Sequence, residues 1–145
     1  MQCLRHRVDF GKQIGYYSHC IRFTLMANSI LFVDDDADLR EIVKDQLSAS
    51  GYEVDAAEDG MVAIDKLQQK HYEVLLLDIT MPNKNGMDVL RFAKDKSLDS
   101  KVIMLTGMVG LSVAIESIKL GATDYITKPY NMDYLLASIK RALER

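Results

Sequence analysis

Short apolar runs along most of the chain alternate with longer stretches of helical periodicity. Five of these runs are predicted strands, and runs without polar alternation are typical of strands that are buried on both faces. The five predicted strands are residues 30–33, 52–56, 74–77, 102–105 and 125–126. Strands of this kind indicate a parallel sheet whose two faces are both covered by helices.

Apolar residues between and after these strands recur at intervals of three and four, which predicts five amphipathic helices. Their apolar positions are Leu39, Ile42, Val43 and Leu47; Met61, Ile64 and Leu67; Met87, Leu90 and Ala93; Leu111, Ala114, Ile115 and Ile118; and Met132, Leu135, Leu136, Ile139 and Leu143. Glycine follows the first and fourth helices as a stop signal, at Gly51 and Gly121. The repeat therefore predicts an α/β fold of (βα)₅ type, a doubly wound parallel sheet in a three-layer α/β/α sandwich.

Composition and charge narrow the function classes. The chain has 145 residues, 48% of them hydrophobic and 27% charged, as expected for one globular domain. A net charge of −3 argues against a nucleic-acid-binding surface as the main function. No apolar stretch is long enough to span a membrane, and two cysteines do not make a disulfide scaffold.

The first 25 residues differ from the rest of the chain. They carry a basic excess and both cysteines, and they lack the apolar periodicity of a helix or strand. Asp9 and Gly11 interrupt the apolar region that a secretory signal needs. Met26 leads directly into the first predicted strand. We therefore expect residues 1–25 to be a non-native or disordered leader and residues 26–145 to form the domain.

Polar side chains follow four of the five predicted strands, where the carboxyl ends of parallel strands form a ligand-binding edge. They are Asp34, Asp35 and Asp36 after the first strand, Asp78 after the third, Thr106 after the fourth and Lys128 after the fifth. Crowded carboxylates favour a cation, and a few oxygen ligands with open water positions favour Mg²⁺. Lys128 adds a positive charge that suits an arriving anion such as a phosphoryl group.

Several motifs at these positions occur in a fixed order. They are the run from Ile30 to Asp36, the pair Leu77-Asp78, the pair Met81-Pro82, Gly86, the run Leu105-Thr106-Gly107 and the pair Lys128-Pro129. This order resembles the receiver domain of bacterial response regulators of two-component signalling, a chemotaxis-regulator-like superfamily. The resemblance extends from about Met26 to the C-terminus. It implies a flavodoxin-like fold whose five parallel strands have the order 2-1-3-4-5 in the sheet.

The resemblance also implies a phosphorylation switch. Asp78 is then the phosphoacceptor, which receives its phosphoryl group from a sensor histidine kinase or a histidine phosphotransfer protein. The cofactor is Mg²⁺, bound by Asp35, by Asp78, by the backbone carbonyl of Thr80 and, through a water, by Asp34. No separate substrate turnover is expected beyond phosphorylation and dephosphorylation of the domain itself.

The remaining implied roles concern the response to the phosphoryl group. Lys128 pairs with one phosphoryl oxygen and Thr106 bonds another. Tyr125 then turns inward, which alters the face formed by the fourth helix, fifth strand and fifth helix. The peptide between Lys128 and Pro129 is expected to be cis. Thr80 and Met108 flank the site and tune it, and the apolar Met108 predicts slow to moderate self-dephosphorylation.

The expected partners follow from the same resemblance. We expect the first helix, with Leu39, Arg40 and Val43, to dock a kinase's histidine domain. The altered face is expected to control an output domain or protein, or to form a phosphorylation-dependent homodimer through charges at Glu116, Lys119, Lys140 and Arg141. The expected location is cytoplasmic, without membrane binding or direct nucleic-acid binding by this chain.

Two alternatives remain open. The chain is an N-terminal receiver fragment of a larger DNA-binding transcriptional regulator, or it is a protein-binding module that works without phosphorylation. Two other classes fit poorly. A flavodoxin needs a phosphate loop where three aspartates stand, and a dehalogenase-type phosphatase needs a second acid at Thr80.

Overall fold

Seven strands and five helices make up the part of the chain that this computed structural model describes, residues 5–9, 14–18, 28–81, 84–107 and 110–145. The strands are β1 (Arg5–Asp9), β2 (Ile14–Ser18), β3 (Ser29–Val33), β4 (Glu53–Ala57), β5 (Val74–Asp78), β6 (Lys101–Thr106) and β7 (Asp124–Thr127). The helices are α1 (Ala37–Ala49), α2 (Gly60–Gln69), α3 (Gly86–Asp95), α4 (Leu111–Lys119) and α5 (Met132–Leu143). From β3 onward, strands and helices alternate as the hydrophobic pattern predicts.

The strands from β3 to β7 form one parallel sheet in the order β4-β3-β5-β6-β7. Counted over these five strands the order is 2-1-3-4-5, so the predicted topology is confirmed. The strand order reverses at β3 and β5, where an open parallel sheet forms its ligand-binding crevice. In the register Val33 pairs with Leu77 and Thr106 pairs with Thr127. The residues that follow these strands therefore meet at one edge of the sheet.

Both faces of the three central strands, β3, β5 and β6, are buried, as their uninterrupted apolar runs predict. Alternate side chains point to opposite faces of a strand. Phe32 and Leu76 belong to the core beneath α1 and α5. Leu31 and Leu75 belong to the core beneath α2, α3 and α4. The predicted three-layer sandwich is confirmed, with two helices on one face and three on the other.

Helix α4 turns a different face toward the sheet than its apolar periodicity predicts. Leu111, Ile115 and Ile118 are 76%, 46% and 53% exposed. The fully buried residue is Ser117, whose hydroxyl donates to the carbonyl of Val113 at 2.8 Å. A serine is buried here because the helix backbone accepts its hydrogen bond. The helix is confirmed, whereas the stripe that it buries is not the predicted one.

Two strands lie in the segment for which the sequence predicts none. β1 and β2 form an antiparallel pair in which Arg5 lies opposite Ser18 and Asp9 opposite Ile14. The sequence shows no apolar periodicity in these ranges, but backbone pairing between neighbouring segments does not require an apolar run. The assignment of residues 1–25 as a non-native or disordered leader remains a prediction. Within the described residues, no helix is long and apolar enough to cross a membrane.

Candidate functional site

The carboxyl ends of β3 and β5 bring three carboxylates together. Asp34 and Asp35 follow β3, and Asp78 is the last residue of β5. One carboxylate oxygen from each of the three lies within 4.8 Å of the other two. Asp34 and Asp78 are buried, at 0% and 4% exposure, whereas Asp35 is exposed. The predicted acidic cluster therefore has two members inside the protein and one at its surface.

Lys128 supplies the positive charge of this cluster from the loop after β7. Its Nζ atom lies 2.7 Å from Oδ2 of Asp34 and 3.5 Å from Oδ2 of Asp78. The backbone N–H of Lys128 donates to the carbonyl of Thr106, which fixes the loop against the end of β6. The peptide between Lys128 and Pro129 is cis, as the resemblance implies. One ammonium thus offsets two buried carboxylates.

Both carboxylate oxygens of Asp34 already accept hydrogen bonds from the chain itself. Oδ1 accepts from the backbone N–H of Asp36 at 2.9 Å, and Oδ2 accepts from Lys128. Arg40 adds a bond of 2.7 Å to the carbonyl of Asp34. This residue is therefore held firmly in place. Asp35, which is exposed, is better placed to meet an ion from solvent.

The position of Asp78 depends on Thr80, in the loop that follows it, and on Gly86, the first residue of α3. The backbone N–H of Thr80 donates to Oδ1 of Asp78 at 3.3 Å. Gly86 lies so close that a Cβ there would stand 2.9 Å from the carbonyl carbon of Asp78. Real Cβ atoms do not approach that closely, so the site requires glycine for space. This explains why Gly86 belongs to the motif.

Burial raises the pKa of Asp78, and the negative charge of Asp34 adds to the effect, although Lys128 and the N–H of Thr80 act in the opposite direction. Burial alone would lower the pKa of Lys128. The hydrogen bond and charge of Asp34, together with the charge of Asp78, outweigh burial, so the pKa of Lys128 is raised. The ammonium therefore stays charged at neutral pH, while the ionised form of Asp78 is held at a disadvantage.

This disadvantage gives a testable pH dependence. A raised carboxyl pKa means that the folded protein binds the Asp78 proton more tightly than the unfolded chain does. Stability is therefore lost as the pH rises from the ordinary carboxyl value of about 3.9 through the raised pKa. In the absence of divalent cations, we expect Asp78→Asn to raise the urea midpoint at pH 7. The gain should disappear below about pH 4, where the acid is neutral in both states.

Urea unfolding monitored by circular dichroism at several pH values measures this gain. Asp45→Asn, at an exposed position on α1, is the matched control and is expected to change the midpoint little. A gain for Asp78→Asn that is independent of pH would contradict the assigned cause.

Thr106 and Tyr125 lie on the same face of the sheet. In the register Thr106 pairs with Thr127 and Met104 with Tyr125, so both side chains point toward the core beneath α2, α3 and α4. Both hydroxyls are buried, and neither has a hydrogen-bond partner among the residues that the structure describes. A buried hydroxyl without a partner costs about 1–3 kcal/mol. An anion bound at Asp78 would offer Thr106 an acceptor.

Tyr130 is a member of the site that the sequence analysis missed. Its hydroxyl is also buried without a partner among the described residues. Burial, with smaller contributions from the charges of Asp34 and Asp78, raises the pKa of Tyr130 to about 12. The sequence feature that could have pointed to Tyr130 is its position directly after the Lys128-Pro129 pair.

Some predicted residues lie elsewhere. Val43 is only 1% exposed and packs in the core, so its predicted place on a docking face was wrong. Leu39 and Arg40 are half-buried, and the large apolar residue that α1 exposes is Ile42, at 53%. The exposed Thr80 contributes its N–H to Asp78. Two motif or tuning residues, Pro82 and Met108, lie outside the described residues.

The donors of the acidic cluster fit a hard divalent cation. Ligands on opposite sides of one octahedral Mg²⁺ are about 4.2 Å apart. The three carboxylate oxygens lie within 4.8 Å of one another, which is close to that scale. All are oxygen atoms, the ligand type that Mg²⁺ selects. The donor set therefore suits Mg²⁺ in both the type and the spacing of its atoms.

Comparisons with known proteins agree with this geometry. The response regulator receiver domain family matches residues 30–140. The chain is 38% identical over 119 residues to the chemotaxis protein CheY of Bacillus subtilis (strain 168), which covers 81% of this chain and 99% of that protein.

Two further comparisons add a longer relative and a solved structure. The chain is 35% identical over 120 residues to the response regulator MprA of Mycobacterium bovis (strain BCG / Pasteur 1173P2), covering 83% of this chain and 52% of MprA. It thus spans about half of that relative. A receiver domain protein (CheY-like) from Methanospirillum hungatei JF-1 has a TM-score of 0.79 and 34% identity, covering 81% of this chain and 94% of that one. Family, fold and acidic cluster therefore coincide, and the chain belongs to the response regulator receiver domain family.

Proposed function

We propose that this chain is the phosphoacceptor of a two-component phosphorelay and that Asp78 receives the phosphoryl group. The observation that carries the proposal is the buried carboxylate of Asp78 beside two further acids and the ammonium of Lys128. Members of the family act as phosphoacceptors in signalling rather than as metabolic enzymes. The donor is a sensor histidine kinase or a histidine phosphotransfer protein.

In the proposed reaction, a carboxylate oxygen of Asp78 attacks the phosphorus atom of the donor's phosphohistidine. An O–P bond forms, the P–N bond breaks, and its electron pair returns to the imidazole nitrogen. Lys128, 3.5 Å from Asp78 in the structure, then pairs with an oxygen of the new acyl phosphate. The protein otherwise contributes to the transfer by positioning the reacting groups and neutralising their charge.

Mg²⁺ is the proposed cofactor, and when bound it screens the negative charges that meet during transfer. Its proposed ligands are Asp35, Asp78 and the backbone carbonyl of Thr80. Asp34 acts through a water, which agrees with the hydrogen bonds that already occupy both of its carboxylate oxygens. Thr80 and Met108 are proposed to set the lifetime of the acyl phosphate.

The acyl phosphate is proposed to switch the face formed by α4, β7 and α5. It offers an acceptor to Thr106, whose movement makes room for Tyr125. Both residues have buried hydroxyls without partners among the described residues, so the unphosphorylated arrangement leaves two hydrogen bonds unmade. The exposed Leu111, Ile115 and Ile118 of α4 give this face an apolar surface for an output partner or a second copy.

We propose a cytoplasmic protein whose α1 surface, with Leu39, Arg40 and Ile42, docks the phosphodonor. Its output passes through the switched face to a partner protein or domain. An N-terminal position in a longer DNA-binding regulator is the second candidate, because the chain spans about half of MprA.

Intact-mass measurement after incubation with acetyl phosphate tests the function. The expected result is a phosphoryl adduct that requires Mg²⁺ and is absent from Asp78→Asn. The Asp45→Asn control should form the same amount of phosphoryl adduct as the unaltered chain. No adduct on the unaltered chain with Mg²⁺ would overturn the proposal and favour a protein-binding module that works without phosphorylation.

A further inference from the structure

The amino-terminal end of α2 touches the loop that follows the phosphoacceptor. The backbone N–H of Gly60 donates to the carbonyl of Lys84 at 2.9 Å. A Cβ at Gly60 would lie 2.7 Å from the carbonyl carbon of Lys84, closer than real Cβ atoms approach. The contact is between backbones that are far apart in sequence. Glycine is required here for space, and no larger residue allows the same approach.

This contact holds one end of the loop between β5 and α3. At the other end of the loop, the backbone of Asp78 packs against Gly86, the first residue of α3. The N–H of Gly86 donates to the carbonyl of Ile79 at 3.3 Å. Thr80, which offers the proposed carbonyl ligand, lies between these points. The described parts of the loop are thus held at Asp78 by α3 and at Lys84 by α2.

The end of α2 is itself rigid enough to serve as a support. Asp59 caps the helix by accepting a bond of 2.9 Å from the backbone N–H of Val62. Ala63 and Leu67 anchor the helix in the core. A displacement of the loop at Lys84 is therefore resisted by the whole helix.

We propose that Gly60 is a positioning residue for the cation site: its close contact with Lys84 places the loop so that the Thr80 carbonyl reaches the ion that Asp35 and Asp78 bind. This inference rests on the proposed function. It adds a residue from α2, an element to which none of the cation ligands belongs.

Titration of Mg²⁺ against the isotope-labelled chain, followed by the amide signals of Asp78 and Thr80, tests this role. Gly60→Ala is expected to weaken Mg²⁺ binding about 10-fold, as residues that orient metal ligands commonly do. Lys84→Ala is the local control. It retains the backbone carbonyl, so its affinity for Mg²⁺ should match that of the unaltered chain.

A second control separates positioning from general destabilisation. Gly51 has a positive φ of 96° with no atom near its absent Cβ, and it lies between α1 and β4 at the opposite edge of the sheet. Gly51→Ala is expected to lower the urea midpoint through backbone strain while leaving Mg²⁺ affinity unchanged. Equal Mg²⁺ affinity in Gly60→Ala and the unaltered chain would overturn the inference alone.

Hydrogen exchange on the unaltered chain covers the case in which Gly60→Ala does not fold. Mg²⁺ is expected to slow exchange of the Gly60 amide, because fixing the loop strengthens its bond to Lys84. Unchanged exchange at this amide, with Mg²⁺ bound, would overturn the inference. If the unaltered chain binds no Mg²⁺, the proposed function fails and this inference fails with it.

Discussion

Replacing Lys128 with methionine is expected to destabilise the protein in the absence of divalent cations by about 2 kcal/mol. Removing one partner of a fully buried ion pair costs about 3–5 kcal/mol. The loss should be smaller here because the Lys128 side chain is 26% exposed. Asp34, whose side chain is 1% exposed, is left without its cation and beside Asp78. Urea unfolding at pH 7 measures the effect.

Mg²⁺ should restore part of that stability. With the ammonium gone, a divalent cation no longer competes with Lys128 for the carboxylates, so Lys128→Met should bind Mg²⁺ more tightly than the unaltered chain. Phosphorylation should nevertheless fall sharply, because the variant lacks the charge that pairs with the phosphoryl oxygen. The matched control is Lys140→Met at an exposed position on α5. Similar losses in the two variants would refute a special role for Lys128.

Replacing Gly86 with alanine adds one carbon atom to the side chain. We expect this to be among the most destabilising changes of that size in the chain. The new Cβ would lie 2.9 Å from the carbonyl carbon of Asp78 and 3.2 Å from Cα of Ile79. Both are backbone atoms of a buried strand end and cannot move aside as a flexible side chain does. Overpacking of this kind costs about 1–3 kcal/mol, which exceeds the helix propensity gain of about 1 kcal/mol for alanine over glycine.

The urea midpoint of Gly86→Ala should therefore fall, and its yield of phosphoryl adduct should fall with it because Asp78 is displaced. Gly107→Ala provides the control for stability. A Cβ at Gly107 meets no atom of the described residues within 4 Å, and the φ of Gly107 lies outside the left-handed region. Equal urea midpoints for the two alanine variants would show that the close approach at Gly86 does not require glycine.

Sequence periodicity predicted the α/β architecture well because the three central strands of the parallel sheet, β3, β5 and β6, are buried on both faces. Ile30, Leu31 and Phe32 are each fully buried, so the strand reads as an uninterrupted apolar run. The same criterion failed for the face of α4. That helix buries Ser117, which bonds its own backbone, and exposes Leu111. Hydrophobicity alone does not distinguish a core face from a surface reserved for another contact.

The acidic cluster was predictable because a parallel sheet gathers the ends of its strands at one edge. Asp34, Asp78 and Lys128 each follow a strand, and the structure places them together. Lys128 lies closer to Asp34 than to Asp78. This preference depends on side-chain packing, which the spacing of residues in the sequence does not reveal. The contact between Gly60 and Lys84 was also beyond a sequence pattern, because it joins the start of α2 to a distant loop through a backbone hydrogen bond.

The ion pair between Lys128 and Asp34 has a consequence for the order in which the domain is made. Its partners are 94 residues apart in the chain, and contacts of such span form late because the intervening segment must first be ordered. A growing chain that has not yet reached β7 therefore has the acids of the pocket without their lysine. Until the last strand and its loop are in place, Asp34 and Asp78 repel each other. If the chain works as proposed, the ammonium that pairs with the phosphoryl group therefore joins the pocket only after β7 and the loop that follows it have been made.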